Sequence, residues 1–71
     1  MYRVVYKFFS KKQSAQKELT VVKKKISSAE MENDSLNMYA IIFGKYYDKK
    51  DAEHMVHEAV SLGLWGGIQE V

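Results

Sequence analysis

His54 and His57 stand three residues apart, with Glu53 and Glu58 beside them, and this is the first place to look for chemistry. Spacings of three or four put side chains on one helical face, as a metal site needs. No third committed ligand accompanies the pair, so it reads as a solvated face and no metal is expected. Ser10, Ser27, Ser28, Ser35 and Ser61 lie near no His–acid pair, which leaves nucleophilic catalysis without support. Gly66-Gly67 lacks the flanks of a phosphate loop and reads as geometry at the start of a strand. Lys23-Lys24-Lys25 has the charge to touch phosphates, but a charged helix end is usually just solvated. Absence of cysteine removes disulfides, thiolate nucleophiles and cysteine-ligated zinc. The chain is expected to be no enzyme and to use no cofactor. Binding is what remains, and Trp65 is then notable: it is either a buried edge residue or a contact residue, tryptophan being enriched at hot spots.

The elements that hold these residues follow from periodicity. Residues 2–9 are aromatic and β-branched without proline or glycine, and predict a strand. Its alternation puts Val4 and Tyr6 on one face and Arg3, Val5 and Lys7 on the other. Ser10, followed three residues later by Gln13, has the form of a capping box. Ala15, Leu19, Val22 and Ile26 then form one helical stripe, opposite a lysine-bearing face.

Residues 27–32 predict a weaker strand, with turn chemistry at Asn33-Asp34-Ser35. Leu36 to Lys45 predicts the strongest strand, with Ile41 and Phe43 facing one way and Ala40, Ile42 and Gly44 the other. Asp48 is the expected N-cap of a second helix whose inner stripe is Ala52, Val56 and Ala59, helped by Met55 and Leu62. Gly63 is expected to end that helix, and Ile68 to Val71 to form a last strand.

Seventy-one residues allow one domain, and a chain of this size buries only about 60% of its unfolded surface. Its composition is that of an ordinary globular domain, and no run has transmembrane length. The net charge of +2 conceals a division: residues 1–25 carry eight basic side chains against Glu18 alone, whereas the remainder carries three lysines against eight acids. A basic half suits a polyanion, or pairing within or between chains.

A shift of 37 residues superimposes the halves without a gap: Tyr2 on Tyr39, Val4 on Ile41, Tyr6 on Phe43, Ala15 on Ala52 and Leu19 on Val56. The register argues for an internal repeat, about 2–32 and about 37–71. Two strand-helix-strand units in tandem give β-α-β-β-α-β, an α+β ferredoxin-like sandwich with both helices on one face of a four-stranded antiparallel sheet. Val4, Tyr6, Leu19, Val22, Ile41, Phe43, Val56 and Ala59 are the expected core. The opposite sheet face, Arg3, Val5, Lys7, Ala40, Ile42 and Gly44, is expected to stand open with apolar content.

Tyr39-Ala40-Ile41-Ile42-Phe43-Gly44-Lys45-Tyr46, then Lys49-Lys50-Asp51-Ala52 and Gly63-Leu64, resembles the repeat of SPOR (sporulation-related repeat) domains. Tyr2 to Phe9 with Ala15 is a looser copy. The resemblance spans nearly the whole chain. It implies a non-catalytic module binding peptidoglycan glycan through the open sheet face, here Arg3, Val5, Lys7, Ala40, Ile42 and Gly44. Val5 and Ile42 stand where such domains carry a strand glutamine, and Lys7 replaces the first glycine.

The alternative is a small intracellular protein, of the kind a phage or mobile element encodes, that uses the same face for a homodimer or a partner protein. Trp65 is a candidate contact in either case. The segment Tyr39 to Phe43 followed by Asp51-Ala52-Glu53 also resembles RNA-recognition motifs. Its open face offers no ring for base stacking, so nucleic acid is not an expected partner, and neither is a membrane. If Met1 is the native start the chain is expected in the cytoplasm; a SPOR domain cut from a longer chain belongs to the cell envelope.

Overall fold

The first element, β1 (Tyr2–Phe9), runs through the middle of a four-stranded sheet. The structure is a computed structural model and describes residues 1–33 and 37–71. After β1 come α1 (Lys12–Lys23), β2 (Glu30–Asn33), β3 (Tyr39–Tyr46), α2 (Lys49–Ser61) and β4 (Gly67–Glu70). The sheet order is β2-β3-β1-β4, every neighbouring pair is antiparallel, and the arrangement is ferredoxin-like. The predicted turn after Asn33 and the predicted start of β3 at Leu36 fall on residues 34–36, outside the described residues.

Helices and sheet close on one core. Val4, Val22, Ile26, Ala29, Phe43, Ala52 and Ala59 are buried in it, with Tyr6, Leu19, Tyr46, Met55, Val56 and Leu64 packed around them. The alanines allow close approach of helix to sheet: Ala15, Ala52 and Ala59 are fully buried. Ile41 is fully buried as well.

The two helix starts differ. Asp48 caps α2 as expected, its carboxylate accepting from the Lys50 amide at 3.0 Å, with Asp51 in the first turn. The capping box expected at Ser10 and Gln13 does not form. The N-cap of α1 is Lys11, with no side-chain cap, because the helix begins one residue beyond the position Ser10 would serve. At the far end of α2, Gly63 takes the left-handed conformation (φ 81°). The Leu64 amide donates to the Ala59 carbonyl and the Gly63 amide to that of Val60, a Schellman closure completed by Leu64 packing on the core beside Ala59.

Each element of the second half starts 37 residues after its counterpart, at 2 and 39, 12 and 49, and 30 and 67. The same offset governs an irregularity no strand pattern announces. Between Val4 and Val5 the partner on β3 jumps from Gly44 to Ile42, leaving Phe43 unpaired. Between Val5 and Lys7 it moves from Ile42 to Ile41, leaving Tyr6 unpaired. Tyr6 and Phe43 are thus reciprocal bulges, one on each central strand and 37 residues apart. Each adds local twist, and together they restore the register. The Phe43 carbonyl accepts a hydrogen bond of 2.7 Å from the Ser28 hydroxyl, which ties the α1–β2 connection to the bulge.

Candidate binding face

Residues directly opposite on antiparallel strands share a face. Val4 points into the helix-covered core, so its partner Gly44 lies on that side too. The close approach of the Tyr46 ring confirms the placement: a Cβ on Gly44 would stand 2.7 Å from the Tyr46 hydroxyl and 3.0 Å from its Cζ. Past the second bulge, Lys7 pairs with Ile41 and leaves the open face, its ammonium 5.1 Å from the centroid of the Tyr6 ring. Gly44 and Lys7 are therefore corrections to the predicted face.

The bulges deliver two other residues in their place. Lys45 pairs with Arg3, and Phe8 pairs with Ala40, so both belong to the open face. Strict alternation across β1 and β3 would put them on the other side. The available signal was Gly44 itself, since an isolated glycine within a strand marks a bulge.

Arg3, Val5, Ala40 and Ile42 do lie on the open face, but they do not form an exposed apolar patch. Ala40 and Ile42 have 0% exposure. Their direct neighbours on this face are Phe8 and Glu32 for Ala40 and Val5 and Glu30 for Ile42, and a charged strap crosses the same face. Arg3 Nη1 donates to Glu32 Oε1 at 2.9 Å, Arg3 Nε donates to Gln69 Oε1 at 2.5 Å, and Lys45 Nζ pairs with Glu32 Oε2. Gln69 is on β4, Arg3 on β1, Lys45 on β3 and Glu32 on β2, so the strap crosses the whole sheet.

Register sets the course of the strap. Arg3 and Lys45 oppose each other, whereas Glu32 opposes Ala40, five positions back along β3. To meet Glu32, both cationic side chains must run along the sheet past Ile42. Long cationic side chains can lay their aliphatic stems on apolar surface while their heads stay paired, as these are. The strap holds the Glu32 carboxyl below its ordinary value, through hydrogen bonding to Lys45 first and to Arg3 after it, against an opposing effect of burial.

Toward β4 the face opens into a shallow groove lined by Val5, Tyr6, Phe8, Gly67, Ile68 and Gln69. It exists because β4 pairs only with residues 2–5 of β1, so among the described residues the second half of β1 has no strand partner on that side. Phe8 is half exposed there. Trp65, which leads into β4, is 77% exposed and so is not a buried edge residue.

The remaining groups that drew attention stay apart from this face. His54 lines a shallow depression with Tyr46, Asp51, Met55 and Glu58, and His57 is exposed. Among the described residues no three His, Cys, Asp or Glu side chains gather as a metal site would require. The Tyr46 phenol is pushed above its ordinary value by burial, then by the Glu58 and Asp51 carboxylates. Among the described residues no helix is long and apolar enough to cross a membrane.

No family model, curated protein or solved structure matches this chain.

Proposed function

We propose that the protein is a non-catalytic binding module, SPOR-like, that engages a glycan strand along its open sheet face. The carrying observation is the strap. A guanidinium, a carboxylate, an amide and an ammonium are laid across four strands in fixed positions, beside the half-exposed ring of Phe8. Sugar hydroxyls require such mixed donors and acceptors, and the carbon face of a sugar ring packs on an aromatic. Gln69 supplies the amide that Val5 and Ile42 do not, and the offset of 37 makes it the counterpart of Glu32, with both bound to Arg3. The matching element starts in the two halves favour descent from a duplicated unit, as in SPOR domains.

Purified peptidoglycan sacculi, with and without prior amidase treatment, are the test. Co-sedimentation that grows with amidase treatment, and drops about tenfold in Phe8→Ala, is the expected result; a difference of that size needs about 1.4 kcal/mol. Recovery of no protein under either condition overturns the reading.

A second reading is carried by the edge of the sheet. Trp65 is exposed just before β4, with Ile68 and Phe8 partly exposed beside the groove, and a short edge strand is a template for pairing. Here the module pairs with a second copy or another protein through β4. Sedimentation at high concentration tests the self-pairing: a strict monomer excludes a second copy as the partner, and Ile68→Lys is expected to dissolve any dimer. Ile42, being fully buried, is not the residue to change.

A further inference from the structure

We infer that the outer face of α1 is a docking surface for double-stranded DNA. This surface is separate from the sheet face, and the two proposals fail independently. Residues 1–25 hold eight of the eleven basic side chains, against Glu18 alone. On α1 and the turn after it, Lys12, Lys17, Lys23 and Lys24 are exposed, and none has an ion-pair partner among the described residues.

Direction matters as much as charge. Lys25 reaches across to the Leu62 carbonyl at the end of α2, at 3.4 Å, so that flank of α1 faces the neighbouring helix. Helical spacing places Lys12 and Lys23 on the opposite flank, turned away from the acidic side chains of α2. Outward between the flanks runs the stripe Gln13, Gln16, Lys17 and Thr20, which lines one shallow groove.

The layout suits a DNA major groove. The twelve residues of α1 span about 18 Å, and the groove is about 12 Å wide. Cations at both helix ends, Lys12 and Lys23-Lys24, would reach the two bordering phosphate backbones. The uncharged Gln13, Gln16 and Thr20 between them would meet base edges, for which glutamine has the donor–acceptor pair that adenine presents. A-form RNA has a major groove too narrow to admit the helix. An anionic membrane is the poorer fit, because α1 exposes a single large apolar residue, Val21, one turn from Lys17, where an interfacial helix needs a whole apolar face.

The test is fluorescence anisotropy with a labelled DNA duplex of about 20 bp, titrated from about 50 to 200 mM salt. Vesicles of phosphatidylglycerol and phosphatidylcholine serve as the second arm. Micromolar binding at low salt is expected, with log K falling against log salt. The combined variant Lys12→Gln, Lys23→Gln, Lys24→Gln changes only exposed positions and is checked for folding by circular dichroism. It should flatten the slope by about 0.9 for each lysine removed. Gln13→Ala with Gln16→Ala should weaken binding and leave the slope unchanged. No duplex binding at the lowest salt overturns the inference. So does binding that survives the triple variant, or binding to the vesicles through these lysines that exceeds binding to the duplex.

Discussion

The rings of Tyr6 and Phe43 lie with centroids 5.5 Å apart and planes tilted by 35°, and these are the two residues that the β1–β3 ladder skips. The centre of the sheet is thus a side-chain contact between two bulges. A tilted ring pair is worth about 0.5–1.5 kcal/mol beyond its buried area. A double-mutant cycle of Tyr6→Leu and Phe43→Leu, measured by urea unfolding, should therefore show coupling of about 1 kcal/mol. Phe43→Ala empties a fully buried site and should cost about 3–5 kcal/mol. In a domain this small that loss would leave little of the native state. Additive single mutants would mean that the rings meet without holding the bulges.

The strap makes stability depend on acid. Glu32 titrates below its unfolded value in the fold, so its contribution is fully present above the unfolded value. It is lost as pH falls through the lower folded value. Thermal unfolding from neutral pH down through the carboxylate range should show Tm falling in that window, with a smaller fall in Glu32→Gln. At neutral pH Glu32→Gln should cost about 1–2 kcal/mol, since it leaves the Arg3 guanidinium, whose side chain is 13% exposed, with a weaker partner. Equal acid sensitivity in both proteins would remove the strap as the cause.

Alkali acts at a different place. Tyr46 is raised above the ordinary phenol value, so the fold favours its neutral form and that contribution is lost as pH rises through the unfolded value toward the folded one. Tyr46→Phe should abolish the part of alkaline destabilisation that follows phenol ionisation, read as absorbance near the phenolate band. Replacing Glu58 by Gln should reduce the rise in Tyr46.

Two neighbouring glycines should respond in opposite ways. A Cβ on Gly66 would meet Val4 Cγ1 at 3.1 Å and Phe43 Cε2 at 3.3 Å, both on fully buried side chains, whereas one on Gly67 meets nothing within 4 Å. Gly66→Ala should destabilise by about 1–2 kcal/mol through overpacking, and Gly67→Ala should be near neutral. Chemical denaturation of the pair reads this directly.

The helix starts offer a similar contrast. Asp48→Ala removes a formed cap and should cost about 1 kcal/mol, while Ser10→Ala should change nothing measurable because no cap forms at α1. A matching loss at Ser10 would restore the capping box the residue pattern suggests.

The order of elements, the antiparallel ferredoxin-like sheet, the Asp48 cap and the glycine at the end of α2 were all legible from residue types and spacing. Each depends on a local rule: alternation, helical period, or the φ that glycine tolerates. The buried positions of Val4, Val22, Ile41, Phe43 and Ala59 followed from the same rules. The membership of the open face did not. One skipped residue on each central strand turns Lys7 and Gly44 toward the helices and brings Phe8 and Lys45 out in exchange. Side-chain period alone carries that choice only as long as the ladder is unbroken. The fate of Ile42 was equally out of reach. Whether an apolar floor is bare or covered depends on what the neighbouring strands lay beside it, here Val5 from β1 and Glu30 from β2. Sequence thus determined what each strand is, and only the tertiary structure decided what its faces hold, because bulges and cross-strand ion pairs are properties of strands already paired.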